Sequence, residues 1–361
     1  MAYPHSALIE IAAMRPPPPS VDDPEHLLAT ALDHRMQGLL WSAVMRGEIE
    51  LPLETEHQLA VLDLRTQAHH RKLWDTLEEV VARLAEIGVE VAAFKGVTAE
   101  ARWYRRTGER PSWDIDLWLS PHQLDRIDEV VDLLYPEHPL SGRVRGYEAG
   151  GFVQSVDLEM GGVQIDLHFD PIKIGIPVRE LPLLWETTEE ISGVRVMSEA
   201  GSLLVAGMHL LKDRFAQLGP AEEFVRLVAR APTQEVSRIA SSEGLDRWLA
   251  WVAATISQDL GVDVAMEVDP IVRIHVLGRM GFARSSRFAG QIRLSKGTRA
   301  WFLVPISASG RLQDGLAWIL RKLRPPPDLA AYNLTLLRGS WFFRAIRGAQ
   351  LSLNARRRNS G

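Results

Sequence analysis

The chain has 361 residues, 46% hydrophobic and 24% charged, with a formal net charge of −5; this is enough for two folded domains, or for one large domain with additions. It contains no cysteine, which excludes disulfide frameworks, thiolate zinc sites and cysteine nucleophiles. The charge is unevenly spread: residues 271–361 hold 17 Lys or Arg against 2 Asp or Glu, a net +15, which leaves −20 on residues 1–270.

The opening "MAYPHSALIEIAAMRPPPP" lacks a basic start and carries Glu10 in its apolar part, so a cleaved signal peptide is not expected. Its proline run at 16–19 cannot be helical and reads as a stiff lead-in. Apolar residues then recur at helical spacing over 24–48 and again over 53–88, predicting two amphipathic helices, the second including a break.

After Gly88 the period changes. "VEVAAFKG" (89–96) fits a buried strand that enters a loop at Gly96. A short helix is expected around 97–106, then a strand over "DIDLWLS", then a helix from about 121 to 134. In "FVQSVDLEMGGVQIDLHF" (152–169) two alternating runs flank Gly161 and Gly162, a strong hairpin signal that sets Asp157 opposite Asp166.

From residue 199 onward the pattern is mostly helical. The longest uncharged apolar run, "AGSLLVAGMHLL", has 12 residues and includes His209, too short for a membrane span; the expected compartment is the cytoplasm. The basic part contains an extended stretch, "TRAWFLVPI", and a final helix from Asp328 to about 355. Its mixture of Arg and aromatic residues suits an anionic partner such as RNA, an acidic protein or a membrane surface, or the acidic remainder of the chain itself.

The chemistry concentrates in "RPSWDIDLWLS" (110–120). On a strand, Asp114, Asp116 and Trp118 share one face while Ile115, Leu117 and Leu119 share the other. The second hairpin strand repeats this with Gln164, Asp166 and His168. If the two strands are neighbours, several carboxylates converge, and their repulsion calls for protons or divalent cations. No Walker loop, dinucleotide turn, HExxH helix or nucleophile elbow competes with that reading.

"FKGVTAEARWYRRTGERPSWDIDLWLS" followed by "VQIDLHF" resembles the uncharacterised bacterial nucleotidyltransferase family within the DNA polymerase β-like nucleotidyltransferase superfamily, over roughly residues 24–220. The resemblance implies an α+β fold, with a small mixed sheet as nucleotidyltransferase core (89–198). A helical region (1–88) would precede it, and a second helical region (199–270) and the basic region (271–361) would follow.

It further implies that Asp114, Asp116 and Asp166 are the catalytic metal ligands for Mg²⁺ or Mn²⁺, and that Lys95 and Gly96 sit where the loop approaches the nucleotide; Arg110 either joins them there or pairs with Glu109 or the Asp cluster, and His168, on the face of Asp166, is a further nucleotide-site candidate that orients an acceptor or an Asp, or else a satisfied half-buried histidine. The substrate would be a nucleoside triphosphate such as ATP, and the acceptor a small molecule, peptide or RNA. One departure is the loop "FKG", where the wider superfamily carries Gly-Ser; backbone amides after Gly96 can still cradle phosphate at a helix start. The competing class is an inactive module that keeps the fold and binds through its basic C-terminal helices. His209 and Asp213, four apart, have no second histidine at ligand spacing and are assigned to packing, and the adjacent His69 and His70 point in two directions on a helix and propose no ligand pair.

Overall fold

A computed structural model of the chain describes residues 5–149, 153–172, 181–213, 215 and 217–264. The basic 271–361 region, with its expected extended stretch and final helix, lies outside the described residues. Four helices come first: α1 (Ser6–Ala12), α2 (Pro24–Asp33), α3 (Gln37–Met45) and α4 (Leu53–Glu86). Strand β1 (Val91–Phe94), helix α5 (Gly96–Trp103) and strand β2 (Asp114–Leu119) follow, then a 3-10 turn (Pro121–Arg126), α6 (Ile127–Leu134) and α7 (Val144–Ala149). The hairpin β3 (Ser155–Met160) and β4 (Val163–His168) precedes α8 (Pro182–Glu186) and a second hairpin, β5 (Glu189–Ile191) and β6 (Val194–Val196). Helices α9 (Glu199–Lys212), α10 (Leu218–Val228), α11 (Thr233–Ser242) and α12 (Asp246–Leu260) complete the described chain.

The fold is α+β, with one six-stranded mixed sheet in the order β3-β4-β2-β1-β6-β5. Strands β2 and β4 are parallel neighbours although β3 lies between them in sequence, and β1 is antiparallel to β2. The hairpin register follows from its turn: Gly161 and Gly162 adopt φ of 59° and 72°, the left-handed pair a two-residue loop needs, and Asp157 faces Asp166.

The sheet divides two cores. Ile115, Leu117, Leu119, Ile165 and Leu167 pack with Leu73, Leu77, Val80 and Leu84 of α4 and with Val130 and Val131 of α6. The opposite face was expected to be polar along its length, yet Ala92, Phe94 and Trp118 join a second core with Leu204, Phe224 and Leu249 of the later helices. The Trp118 indole meets Trp185 edge to face at 5.0 Å. The carboxylate face is therefore polar at one end only, because Trp118 is closed over by the helical layer.

Two helix expectations need correction. Residues 24–48 form α2 and α3 instead of one helix, because Arg35 turns left-handed at φ 58° and the freed His34 carbonyl accepts the Gly219 amide at 2.9 Å. Residues 53–86 form one unbroken 34-residue helix, about 50 Å long at ~1.5 Å per residue. Its apolar stripe lapses at Asp63, Thr66 and His70, which are nonetheless buried; Asp63 and His70 bind the loop beyond α5 instead of ending the helix. Helix α1 and the β5–β6 hairpin have no counterpart in the sequence reading.

Candidate active site

Pairing of β2 with β4 sets Asp114 opposite Gln164, Asp116 opposite Asp166 and Trp118 opposite His168. Neighbours in register project to the same face, so the residues predicted from separate motifs meet. His168 Nε2 lies 2.8 Å from Asp116 Oδ1 and 3.0 Å from Asp166 Oδ2. Its ring is fully buried and stands edge-on to Phe94 at 4.8 Å, the residue that β1 aligns with Asp116. One ligand atom from each of Asp116, Asp166 and His168 falls within 4.8 Å of the others. Two carboxylate oxygens and an imidazole nitrogen form a donor set that could hold a divalent cation; the oxygens suit Mg²⁺ and the nitrogen admits Mn²⁺.

Asp114 is half-buried and lies outside that three-atom group. Burial pushes its carboxyl up, and the neighbouring Asp116 charge pushes it further, against Lys95. Asp116 behaves oppositely: burial pushes up, but Lys95 and the His168 hydrogen bond outweigh it and hold the group at about 2. One carboxylate of the pair is thus locked in its ionised form while its neighbour is a more willing proton acceptor.

Lys95 joins the end of β1 to the start of α5. Its Nζ is 3.4 Å from Asp116 Oδ1 and 5.0 Å from the Phe94 ring centre. The backbone there is strained, with φ 56° and ψ −155° at a residue carrying a side chain; such conformations cost about 1–3 kcal/mol and concentrate at functional sites. Gly96 follows at φ 44°, and a Cβ on it would stand 2.7 Å from Ser112 Oγ. The tight turn brings the start of α5 against the residues just before Asp114, and its first amides face away from the helix without intrahelical acceptors.

Arg110 is held by Glu223 of α10, with Nε and Nη2 at 2.8 and 2.6 Å from Oε2. Burial disfavours its charge, but Glu223 and, more weakly, Asp116 restore it, so the guanidinium stays charged. Glu223 was not anticipated, and neither was the buried clamp on the loop between Tyr104 and Trp113. Glu100 of α5 accepts the Gly108 amide at 2.6 Å and pairs with His70 Nδ1. His70 Nε2 accepts the Ser112 amide at 2.9 Å, which places the ring proton on Nδ1. In the same loop Arg106 reaches Asp63 at 2.8 and 2.9 Å.

His209, assigned to packing from the sequence, stands on α9 and binds the Pro171 carbonyl at 2.8 Å. Burial pushes its imidazole well below the usual histidine range, and Lys95 adds to the effect, so it belongs to the surroundings of the site. The available signal was a lone histidine in an otherwise apolar helix; what was missing was the fold that brings that helix beside Lys95.

A six-stranded mixed sheet carrying Asp-x-Asp on one strand and Asp-x-His on its parallel neighbour, beside a Lys-Gly turn, defines a nucleotidyltransferase core. The chain belongs to the family described as uncharacterised nucleotidyltransferase, whose sequence pattern matches residues 20–253. No curated protein and no solved structure matches the chain. Membership implies a nucleotide substrate. Among the described residues, no helix is long and apolar enough to cross a membrane.

Proposed function

We propose that the protein is a metal-dependent nucleotidyltransferase that moves a nucleoside monophosphate from a nucleoside triphosphate such as ATP to an acceptor, releasing pyrophosphate. An acceptor oxygen forms a bond to the α-phosphorus as the bond from that phosphorus to the bridging α–β oxygen breaks, and the acceptor proton passes to a carboxylate or to water. The observation that carries this reading is the side-by-side register of Asp116 and Asp166 with His168 Nε2 between their oxygens.

Asp116, Asp166 and His168 would hold Mg²⁺ or Mn²⁺, with Asp114 as a further ligand. Bound there, the cation supplies neutralisation of charge on the reacting phosphate and on the departing pyrophosphate. Lys95 contributes a point charge beside Asp116, suited to a phosphate oxygen. The amides at the start of α5 bind phosphate through the loop that Gly96 allows. Arg110, fixed by Glu223, adds positive potential next to the carboxylates without being free to swing. Catalysis on this reading is positioning and charge neutralisation, carried out in the cytoplasm, where triphosphates are abundant.

The test is incubation of the full chain with each of the four labelled ribonucleoside triphosphates, with Mg²⁺ or Mn²⁺ and with fractionated cell extract as acceptor source. Metal-dependent pyrophosphate release is expected, falling at least 100-fold in Asp116→Asn. Absence of both pyrophosphate release and metal-dependent nucleotide binding would overturn the proposal and favour the inactive-module alternative.

A further inference from the structure

Helix α9 carries one polar ring in a row of apolar side chains. Leu204, Val205, Met208, Leu210 and Leu211 are buried in the helical core, and His209 stands among them half-buried. Packing alone would be served better by leucine, since burying an imidazole is costly unless its nitrogens are satisfied.

One nitrogen is satisfied. Nε2 lies 2.8 Å from the Pro171 carbonyl, which has no proton to give, so Nε2 carries the hydrogen and donates it. Burial and the positive charges of Lys95 and Lys212 hold the ring well below its ordinary range, so it is neutral near pH 7 and its lone pair is on Nδ1. Nδ1 makes no hydrogen bond among the described residues, and unlike Nδ1 of the fully buried His168 it is not sealed from water. The ring therefore offers a single acceptor whose direction the Pro171 bond fixes.

That acceptor belongs to the nucleotide site. Lys95 and His168 are among the groups that act electrostatically on the ring, and Lys95 Nζ is 3.4 Å from Asp116 Oδ1. His209 lies outside the donor group formed by Asp116, Asp166 and His168, so a cation held there is not its partner. Nor is an ionised phosphate, whose oxygens only accept; a neutral Nδ1 needs a donor. A nucleoside triphosphate carries donors on its sugar hydroxyls and on its base. With the phosphates placed at Lys95, the sugar comes first along the molecule.

We propose, on the nucleotidyltransferase reading, that His209 Nδ1 accepts a hydrogen bond from a ribose hydroxyl of the bound triphosphate and makes the site selective against analogues lacking that hydroxyl. A site built to pair with a hydroxyl is left with an unpaired group when the hydroxyl is missing, and this is what rejects the analogue.

Calorimetric titration of the full chain with the four ribonucleoside triphosphates in Mg²⁺ or Mn²⁺, without acceptor, identifies the tightest, which is then compared with its 2′-deoxy and 3′-deoxy forms. The wild type is expected to bind one deoxy form at least about fivefold more weakly than the parent. His209→Gln keeps a donor toward Pro171 but no acceptor where Nδ1 was, so it should bind the parent and that deoxy form within about twofold of each other, through weaker binding of the parent. His209→Asn, whose amide oxygen takes the Nδ1 position, should recover part of the preference. Circular dichroism verifies that both variants stay folded, and the wild-type comparison stands without them. Equal binding of all three forms by the wild type, or a preference unchanged in His209→Gln, would overturn the proposal while leaving the nucleotidyltransferase reading intact. Failure of every triphosphate to bind would overturn both.

Discussion

Replacing His70 by Ala removes the clamp that fixes the approach to β2. The ring is 2% exposed and Glu100 is 5% exposed, so neither group left behind has ready access to water. Truncation deletes a hydrogen bond to a carboxylate, worth about 1.5–3 kcal/mol, and leaves the Ser112 amide without its acceptor, a further ~1–3 kcal/mol. Glu100 keeps the Gly108 amide, and members of one network do not add fully. The expected destabilisation is therefore about 3–5 kcal/mol in total. Urea unfolding followed at 222 nm measures it, and His70→Gln, which offers a donor and an acceptor, should recover part of the loss. A loss below ~1 kcal/mol would contradict the buried clamp, as would strict additivity of His70→Ala with Glu100→Gln.

Gly96→Ala should cost about 1–3 kcal/mol, from a left-handed φ that disfavours a side chain and from crowding against Ser112; adding Ser112→Ala removes the crowding and should return part of it in the same unfolding assay. Trp118→Ala should cost ~3–5 kcal/mol by opening a cavity under Trp185, read as a lower urea midpoint. His209 is held below its ordinary value of 6.5, so the unfolded chain binds the proton first and stability declines as pH falls below that point. The limiting slope is about 1.4 kcal/mol per pH unit. His209→Gln, which retains a donor toward Pro171, should flatten that slope; an unchanged pH profile of stability would contradict the burial of His209.

Strands β1 to β4 were legible because their information is local. Period-two alternation in "DIDLWLS" and "VQIDLHF" and the paired glycines between β3 and β4 specify faces and register without reference to the rest of the chain. Parallel pairing of β2 with β4 could only be posed as a condition, since no local feature of either strand names its partner. Helix α4 misled because a buried polar stretch looks like an interruption: Asp63 and His70 are inside only because Glu100 of α5 and Arg106 and Ser112 of the loop after it come to meet them. Glu223 and His209 were hidden for the same reason, lying more than 110 residues beyond Arg110 and Lys95, the site residues they act on. The FKG turn was readable as a loop, but its strained Lys95 backbone was not, since lysine carries no signature for a left-handed φ.

The contact between Arg15 and the Leu260 carbonyl spans 245 residues, and α1 belongs to the same core as α10 and α12. On a ribosome adding about 5–20 residues per second, α1 waits ~12–50 s for the end of α12 to emerge. Until then the part of α1 that packs on α10 and α12, and the apolar side of the sheet around Trp118, lack the later helices that cover them. A nascent chain with that much greasy surface is natural cargo for a holdase, so yield during overexpression should depend on chaperone supply more steeply than the stability of the finished protein suggests.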